Sequence, residues 1–324
     1  MLLFPSMSVH PSLPHRQAPF GPIAGAGLPG GPRSVNREAF DRLLGELWPK
    51  LHRYCARMTG SVIDGEDVVQ KALLKAIEAL PETGSIAHPE AWLFRIAHNA
   101  ALDFLRRRVR YEATHTNEEL EMIAALVNPV TDRQAATASL RTFMRLSVAQ
   151  RSSVILMDVL GYSLDEIGNV MGISVPAVKA ALNRGRRRLR ELAKEPEDLS
   201  IPVLAEPERS LLAEYVDRFN ARDFDAIRDM LANEVRLELV NKTRMKGRAE
   251  VGKYFHNYAG VDDWHFVPGL VERRPALLVR DPRDPSGAPA YFVLLQWAGD
   301  KLTNIRDFRH ARYAIEGAEI VVPG

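Results

Sequence analysis

Ser163 stands just ahead of an apolar-periodic run, with Glu166 three residues on. That is the spacing of a capping box, in which two side chains satisfy orphan donors at a helix start. The run passes through Ile167 and Val170 to Met171, and Gly172 then permits a sharp turn. Ser174 is placed to cap a second helix, with Pro176 tolerated in its first turn. This second helix buries Val178, Leu182, Leu189 and Leu192 and exposes Lys179, Asn183, Arg184, Arg186, Arg187, Arg188 and Arg190. Two short helices joined by a tight glycine turn fit the major groove of DNA. Arginines hold phosphates, and side chains near the helix start reach base edges. The bland alternative is a solvated basic face on an ordinary helix.

Two further clusters carry candidate chemistry. The segment Asp64-Gly65-Glu66-Asp67-Val68-Val69-Gln70-Lys71 is acidic at a helix start. Dipole complementation alone accounts for that, at some tenths of a kcal/mol up to about 1; the functional alternative is a docking surface for a basic partner. The segment Pro89 to Asn99 combines Trp92 and Phe94 with Arg95 and His98, and Asp103 with Arg106, Arg107 and Arg108 continue it. The aromatics are either core or a platform on which unpaired bases stack, worth about 1–3 kcal/mol per base.

The elements that must position these residues divide the chain. Its 324 residues suggest about two domains, and 46% apolar content is enough for real cores. With 43 Lys+Arg against 41 Asp+Glu, total charge makes no case for nucleic acid; distribution does. A single cysteine, Cys55, excludes a disulfide framework or a cysteine-based zinc site within the chain and fits a reducing cytoplasm. No apolar run approaches the roughly 20 residues that span a bilayer, and Met1–Pro5 lacks the basic and apolar regions of a secretory signal. Residues 1–34, rich in Pro, Gly and Ser, are expected to be disordered, with Met7 a second candidate start. Residues 35–110 read as three helices, the second stopped by Pro81. Residues 111–136, holding Asn117, Pro129 and Thr131, read as a linker. Residues 137–194 are helical again, 195–209 form a proline-bearing linker, and 210–324 turn α+β. In that last part Tyr291, Val293, Leu295 and Trp297 share one strand face, Phe292, Leu294 and Gln296 the other. Leu302 to Ile315 reads as further strand.

Together the motifs resemble sigma factors of the extracytoplasmic-function (ECF) type. Asp64–Gln70 looks like the core-polymerase-binding motif of region 2, Ala91–Asn99 through Arg108 like its promoter-melting helix, and Leu146–Arg151 with Gly161–Gly168 like region 4. The resemblance covers about residues 36–194, with no room for the intervening domain of housekeeping sigma factors. It implies binding to core RNA polymerase (β and β′ subunits) through Asp64, Glu66, Asp67 and Gln70. It implies −10 recognition through Ser85 in the Pro81–Pro89 loop, Trp92, Arg95, Asn99, Arg106 and Arg107. It implies −35 contacts through Ser174, Lys179, Asn183, Arg184 and Arg187. One departure stands out: where the family carries Thr-Val-Lys-Ser-Arg-Leu, this chain has Ala177-Val178-Lys179-Ala180-Ala181-Leu182. Readout is therefore expected to be more phosphate-driven and strongly salt-dependent.

The tail resembles the SnoaL-like, ketosteroid-isomerase-like cone, on Val235–Val240, Gly247–Val251 and Gly299–Arg306. The expected architecture is thus multidomain: all-α region 2 and region 4 domains followed by an α+β SnoaL-like cone. Such tails imply regulation in cis through contacts with regions 2 and 4, of either sign. Candidate pocket groups are Tyr215, His256, Trp264, His265, Asp307 and Arg309, with a small-molecule ligand one option. No spacing identifies an acid–base pair, so no catalysis, metal or cofactor is expected. Two alternatives compete: a dimeric helix-turn-helix regulator with a ligand-binding tail, against which the melting helix argues, and an isomerase-like enzyme with a DNA-binding front.

Overall fold

The computed structural model describes residues 37–83, 86–115, 139–195, 204 and 206–322. The 1–34 extension, Ser85, and Asn117, Pro129 and Thr131 of the first linker lie outside them. The front helices are α1 (Arg37–Thr59), α2 (Val62–Thr83) and α3 (Pro89–His115). Helix α1 buries Phe40, Leu44, Leu47, Leu51, Tyr54 and Met58, the three-and-four spacing of one helix face. Gly60 turns the chain into α2 at φ 78°, a left-handed conformation costly for any side chain. Gly65 serves close approach: a Cβ there would lie 2.6 Å from the Ala56 backbone, so α1 and α2 pack almost backbone to backbone. Pro81 does not stop α2 as expected, because a proline near a helix end forfeits a single hydrogen bond; the helix ends two residues later. Helix α3 continues past Arg110 to His115.

Next come α4 (Leu140–Met144), α5 (Val148–Val154) running into a π-helical turn (Ile155–Val159), α6 (Leu164–Met171) and α7 (Val175–Leu192). The Ser163–Glu166 capping box is present, and Gly172 ends α6 at φ 68°. These helices share one core with α1–α3: Leu156, Tyr162, Ile167 and Val178 belong to the cluster that holds Leu44, Phe94 and Ala97. Polar ties cross the same core. The Tyr54 hydroxyl meets His98 Nδ1 at 2.7 Å and donates to Ser152 Oγ at 3.3 Å. Buried Arg151 donates to the carbonyls of Phe143 (2.8 Å), Met58 (2.5 Å), Leu146 (3.0 Å) and Met144 (3.2 Å).

The C-terminal part holds α8 (Glu208–Asn220), α9 (Phe224–Met230), β1 (Leu231–Leu239), β2 (Thr243–Lys246), α10 (Arg248–Tyr254), α11 (His256–Ala259), β3 (His265–Val271), β4 (Arg274–Arg280), β5 (Pro289–Ala298), β6 (Lys301–Asp307) and β7 (Ile320–Val321). The strands form one sheet in the order β2-β1-β6-β5-β4-β3-β7, with β1–β6 parallel and the other pairs antiparallel. Its inner face closes on α8 to α11: Tyr291, Val293 and Leu295 pack with Tyr215, Phe219, Tyr258 and Trp264. Its outer face packs on the helical front, where Phe292, Leu294, Leu278 and Phe308 meet Ala56, Val62, Ile63 and Leu140. The expected strand from Leu302 to Ile315 ends at Asp307. There the Asp307 carboxylate accepts the Arg309 backbone N–H at 2.8 Å, and the chain turns into a 3-10 helix, Arg312–Ile315.

Arg151 ties α1 to α4 and α5 through four carbonyls, so Arg151→Met leaves those acceptors buried without their charged donor. We expect chemical denaturation to show a loss of about 2–4 kcal/mol. An unchanged midpoint and slope would mean the guanidinium is not the tie.

Candidate protein and nucleic-acid interface

The acidic edge of α2 is covered by the C-terminal sheet. Asp64 has the guanidinium of Arg274 at 3.7 Å and that of Arg108 at 4.0 Å. Glu66 is buried and accepts hydrogen bonds from the Tyr313 hydroxyl (2.9 Å), Trp48 Nε1 (3.3 Å) and Gln70 Nε2 (3.3 Å). Asp67 accepts from Arg306 Nη2 at 2.7 Å, and the same guanidinium is held by Glu238 at 2.8 Å. Gln70 Oε1 receives Arg244 Nη2 at 3.4 Å. Just ahead of α2, Glu272 accepts the Ser61 hydroxyl at 2.5 Å and the Val62 N–H at 2.6 Å. Arg53–Glu316 (2.8 Å) and Arg141–Glu319 (2.5 Å) extend the rim to α1 and α4. Thus the structure gathers all four residues of the predicted edge, and each meets a C-terminal side chain.

Burial sets the electrostatics. It pushes Glu66 up to about 7 despite the hydrogen bonds of Tyr313, Gln70 and Trp48. It raises Asp67 too, against the opposing Arg306. His52, whose ring lies 4.9 Å from that of Tyr313, is lowered by burial to about 4. Sequence reading missed Arg244, Glu272, Arg274, Arg306 and Tyr313, because nothing local pairs Arg306 with a residue 239 positions earlier.

The aromatic–basic helix α3 is open along one side. Arg95, Asn99, Arg106 and Arg107 are exposed and Trp92 is half-buried. Trp92 and Arg95 line a cleft of about 820 Å³ with His88, Tyr162, Glu166 and Asn169, so α6 roofs the base-stacking candidate. Tyr162 donates to Glu90 across it at 2.6 Å. On α7, Ser174, Lys179, Asn183 and Arg184 are exposed. Ser174 occupies the cap position without a side-chain capping bond. Arg187 does not share that exposure: its side chain is 12% accessible and lies 3.4 Å from Glu191. Arg186, also expected outside, is held by Asp158 of the π-helical turn, with Nε donating at 2.9 Å.

None of the C-terminal pocket candidates whose side chains are described lines the cleft at Trp92. Asp307 is buried, accepting Tyr254 OH at 2.5 Å and Tyr258 OH at 2.9 Å, and burial raises its pKa. Tyr215 and Trp264 are core residues, His265 is exposed at the start of β3, and the His256 side chain lies outside the described residues. Neither the cleft at Trp92 nor one of about 210 Å³ beside Arg222 and Phe224 touches Tyr215, Trp264, His265 or Asp307. Inner-face aromatics cluster around Phe219, with Tyr258, Trp264 and Phe266 against its ring. Among the described residues no group of three His, Cys, Asp or Glu is placed to hold a metal ion, and no helix is long and apolar enough to cross a membrane.

Residues 43–111 match the family Sigma-70 region 2, and residues 140–189 match Sigma-70, region 4. The chain is 32% identical to the ECF RNA polymerase sigma factor SigM of Mycobacterium tuberculosis over 48% of its own length and 78% of that protein's. It is 31% identical to the ECF RNA polymerase sigma factor SigG of the same organism over 80% of this chain and 78% of that one. Among solved structures, a SnoaL-like protein of unknown function from Burkholderia thailandensis is similar to 32% of this chain and 96% of that chain, at 16% identity and a TM-score of 0.26.

Glu66 yields a signed pH test. Folded, it keeps its proton to about pH 7; unfolded, it releases it near the ordinary value of 4.5. Below 4.5 both states are protonated, so its contribution is fully present; between 4.5 and 7 only the unfolded state gains the charge, and that contribution is lost. His52 runs the other way, losing its contribution as pH falls from 6.5 toward 4. Subtracting the Glu66→Gln stability profile from that of the natural chain isolates Glu66. The difference should decline as pH rises from 4.5 to 7; a flat difference sinks the assignment.

Proposed function

This chain belongs to the ECF family of RNA polymerase sigma factors, and from that premise we propose that it directs promoter-specific initiation in the cytoplasm and is restrained by its own C-terminal domain. Asp64, Glu66, Asp67 and Gln70 bind the polymerase clamp. The Pro81–Pro89 loop with Ser85 captures a flipped −10 base, at a cost of a few kcal/mol offset by pocket contacts. Trp92 supplies stacking, and Arg95, Asn99, Arg106 and Arg107 follow the strand. Helix α7 meets the −35 duplex with Ser174, Lys179, Asn183 and Arg184, while Arg187 joins only after leaving Glu191.

One observation carries the restraint: every residue of the proposed polymerase-binding edge already has a C-terminal partner, Arg274, Tyr313, Arg306 or Arg244. A side chain held in this way cannot be offered to a second protein at the same time. Because the competing surface belongs to the same chain, its contact is intramolecular and its effective concentration is high. The domain and the polymerase therefore exclude one another, and the sign of regulation is inhibitory. The exposed face of α7 fits this reading, since the restraint acts on polymerase binding and leaves the duplex reader free.

The test is run-off transcription with core polymerase and limiting sigma chain. The Arg274→Glu/Arg306→Glu chain reverses the charges facing Asp64 and Asp67 without touching α2. We expect at least about tenfold more transcript from it, in keeping with the loss of two charge-assisted contacts. Equal output from both chains would remove the restraint. Failure of both to initiate on any promoter of a randomised library would remove the sigma reading itself.

A further inference from the structure

The reading face of α7 is set by what the fold leaves exposed. Pro176, Ala177, Lys179, Ala180, Asn183 and Arg184 are exposed, whereas Val178, Ala181, Leu182, Gly185 and Leu189 are buried. Residues 176, 177, 180, 183 and 184 recur every three or four positions, so they form one stripe with Ala180 at its centre. The arginines of the following turn are committed elsewhere. Arg186 is held by Asp158, whose side chain is 1% accessible, and Arg187 and Arg188 reach Glu191 at 3.4 and 3.3 Å. Ahead of the helix, Ile173 is 37% exposed and extends the apolar surface through Pro176 to the two alanines. The part of α7 best placed to enter a groove is thus flanked by one amide and two cations but apolar at its centre.

Among base edges in the major groove, the C5-methyl of thymine is the apolar contact, and alanine is a natural partner for it. A methyl pressed on guanine O6 and N7, or on cytosine N4–H, would strip water from a polar atom and return no hydrogen bond. The rise from Ala177 to Ala180 is about 4.5 Å along the helix axis, between one and two base steps of a duplex at about 3.4 Å each. We propose that α7 recognises thymine methyl groups through Ala180 and Ala177, with Asn183 placed for the N6/N7 edge of a neighbouring adenine. The upstream element of this chain's promoters is therefore read by apolar contact at its centre and by Lys179 and Arg184 at its phosphates. This rests on α7 being the upstream reader, as argued above.

The experiment uses the full chain with core polymerase, and the Arg306→Glu chain as a second preparation in which the proposed restraint is weakened. Upstream duplexes are selected from a randomised pool, and each selected thymine is then replaced by deoxyuridine, which removes the C5-methyl and keeps the pairing. At the position facing Ala180, uracil should lower affinity roughly fourfold, the factor that accompanies one methyl group left in water. Ala180→Asn should abolish that sensitivity and move the selection from thymine toward adenine. Uracil outside the element serves as the control and should have no effect. A selected element without thymine at that position, or one indifferent to uracil, overturns the methyl readout alone. A pool from which no upstream sequence is selected overturns the assignment of α7 on which it stands.

Discussion

The sheet of the C-terminal domain is apolar on both faces, and a two-faced sheet must be covered twice. Helices α8 to α11 cover one side, with Tyr215, Phe219 and Tyr258 against Tyr291, Val293 and Leu295. The other side, with Phe292, Leu294, Leu278 and Phe308, is covered only in part by the short 3-10 helix, through Ala311 and Ala314, and closes on Ala56, Val62, Ile63 and Leu140 of the helical front. Fully burying a Leu or Phe side chain contributes roughly 1.5–3 kcal/mol. The helical front is therefore part of this domain's solvent shielding, and the position of every charged residue at the rim follows from that seat.

The rim gives the seat its register. Surface ion pairs contribute little on their own, about 0–1 kcal/mol. Here they surround a buried apolar patch, and Arg306, 13% accessible, answers Asp67 and Glu238 together. Glu66 is the centre of the arrangement: a carboxylate under a tyrosine and a tryptophan, with no charged partner, pays for burial by holding its proton. The close approach at Gly65 places it there, because α2 lies directly on α1 and turns its acidic edge toward Tyr313. The glycine within the Asp64–Gln70 motif is thus a packing residue, and the acids around it are the ones that meet Arg274, Tyr313 and Arg306.

What was legible in the sequence was local. The Ser163–Glu166 box and the Gly172 turn depend on residues three to nine apart, and both are present as read. The alternation in β5 was also legible, and its second face carried an unused clue: Phe292 and Leu294 are too apolar for a strand with one side in water. The partner of that face could not be named, because its residues lie some 150 to 240 positions earlier and no periodicity connects them. The fate of Arg186 was hidden for another reason. Asp158 reaches it from a π-helical turn, which a 3.6-residue period does not anticipate. In the cone the candidates divide: Tyr215, Trp264 and Asp307 are buried, whereas His265, the first residue of β3, is exposed, and no local spacing separates the two groups.

Two separations are needed before the proposed promoter complex can form, and they differ in kind. Under the proposed restraint, releasing the C-terminal domain uncovers the apolar face of Phe292, Leu294, Leu278 and Phe308, and exposing that surface to water opposes release. A partner meeting a protein whose competent state is scarce binds with an affinity reduced by that scarcity, and polymerase must supply the difference. The second separation is between α1–α3 and α4–α7, which share a core. By their numbering the proposed −10 and −35 elements are about 25 base pairs apart, about 85 Å of duplex at 3.4 Å per pair, far beyond helices in direct contact. The 23 residues from 116 to 138 join the two groups. An extended chain of that length reaches at most about 80 Å, which, added to the helices at either end, is sufficient for the span. Chain length therefore permits the open arrangement, and the shared core with the Arg151 and Tyr54 ties sets its cost. The two barriers are coupled through α1, which carries Ala56 on the face toward the sheet and Tyr54 and Met58 on the face toward α5, so loosening either contact removes support from the helix on which the other is built.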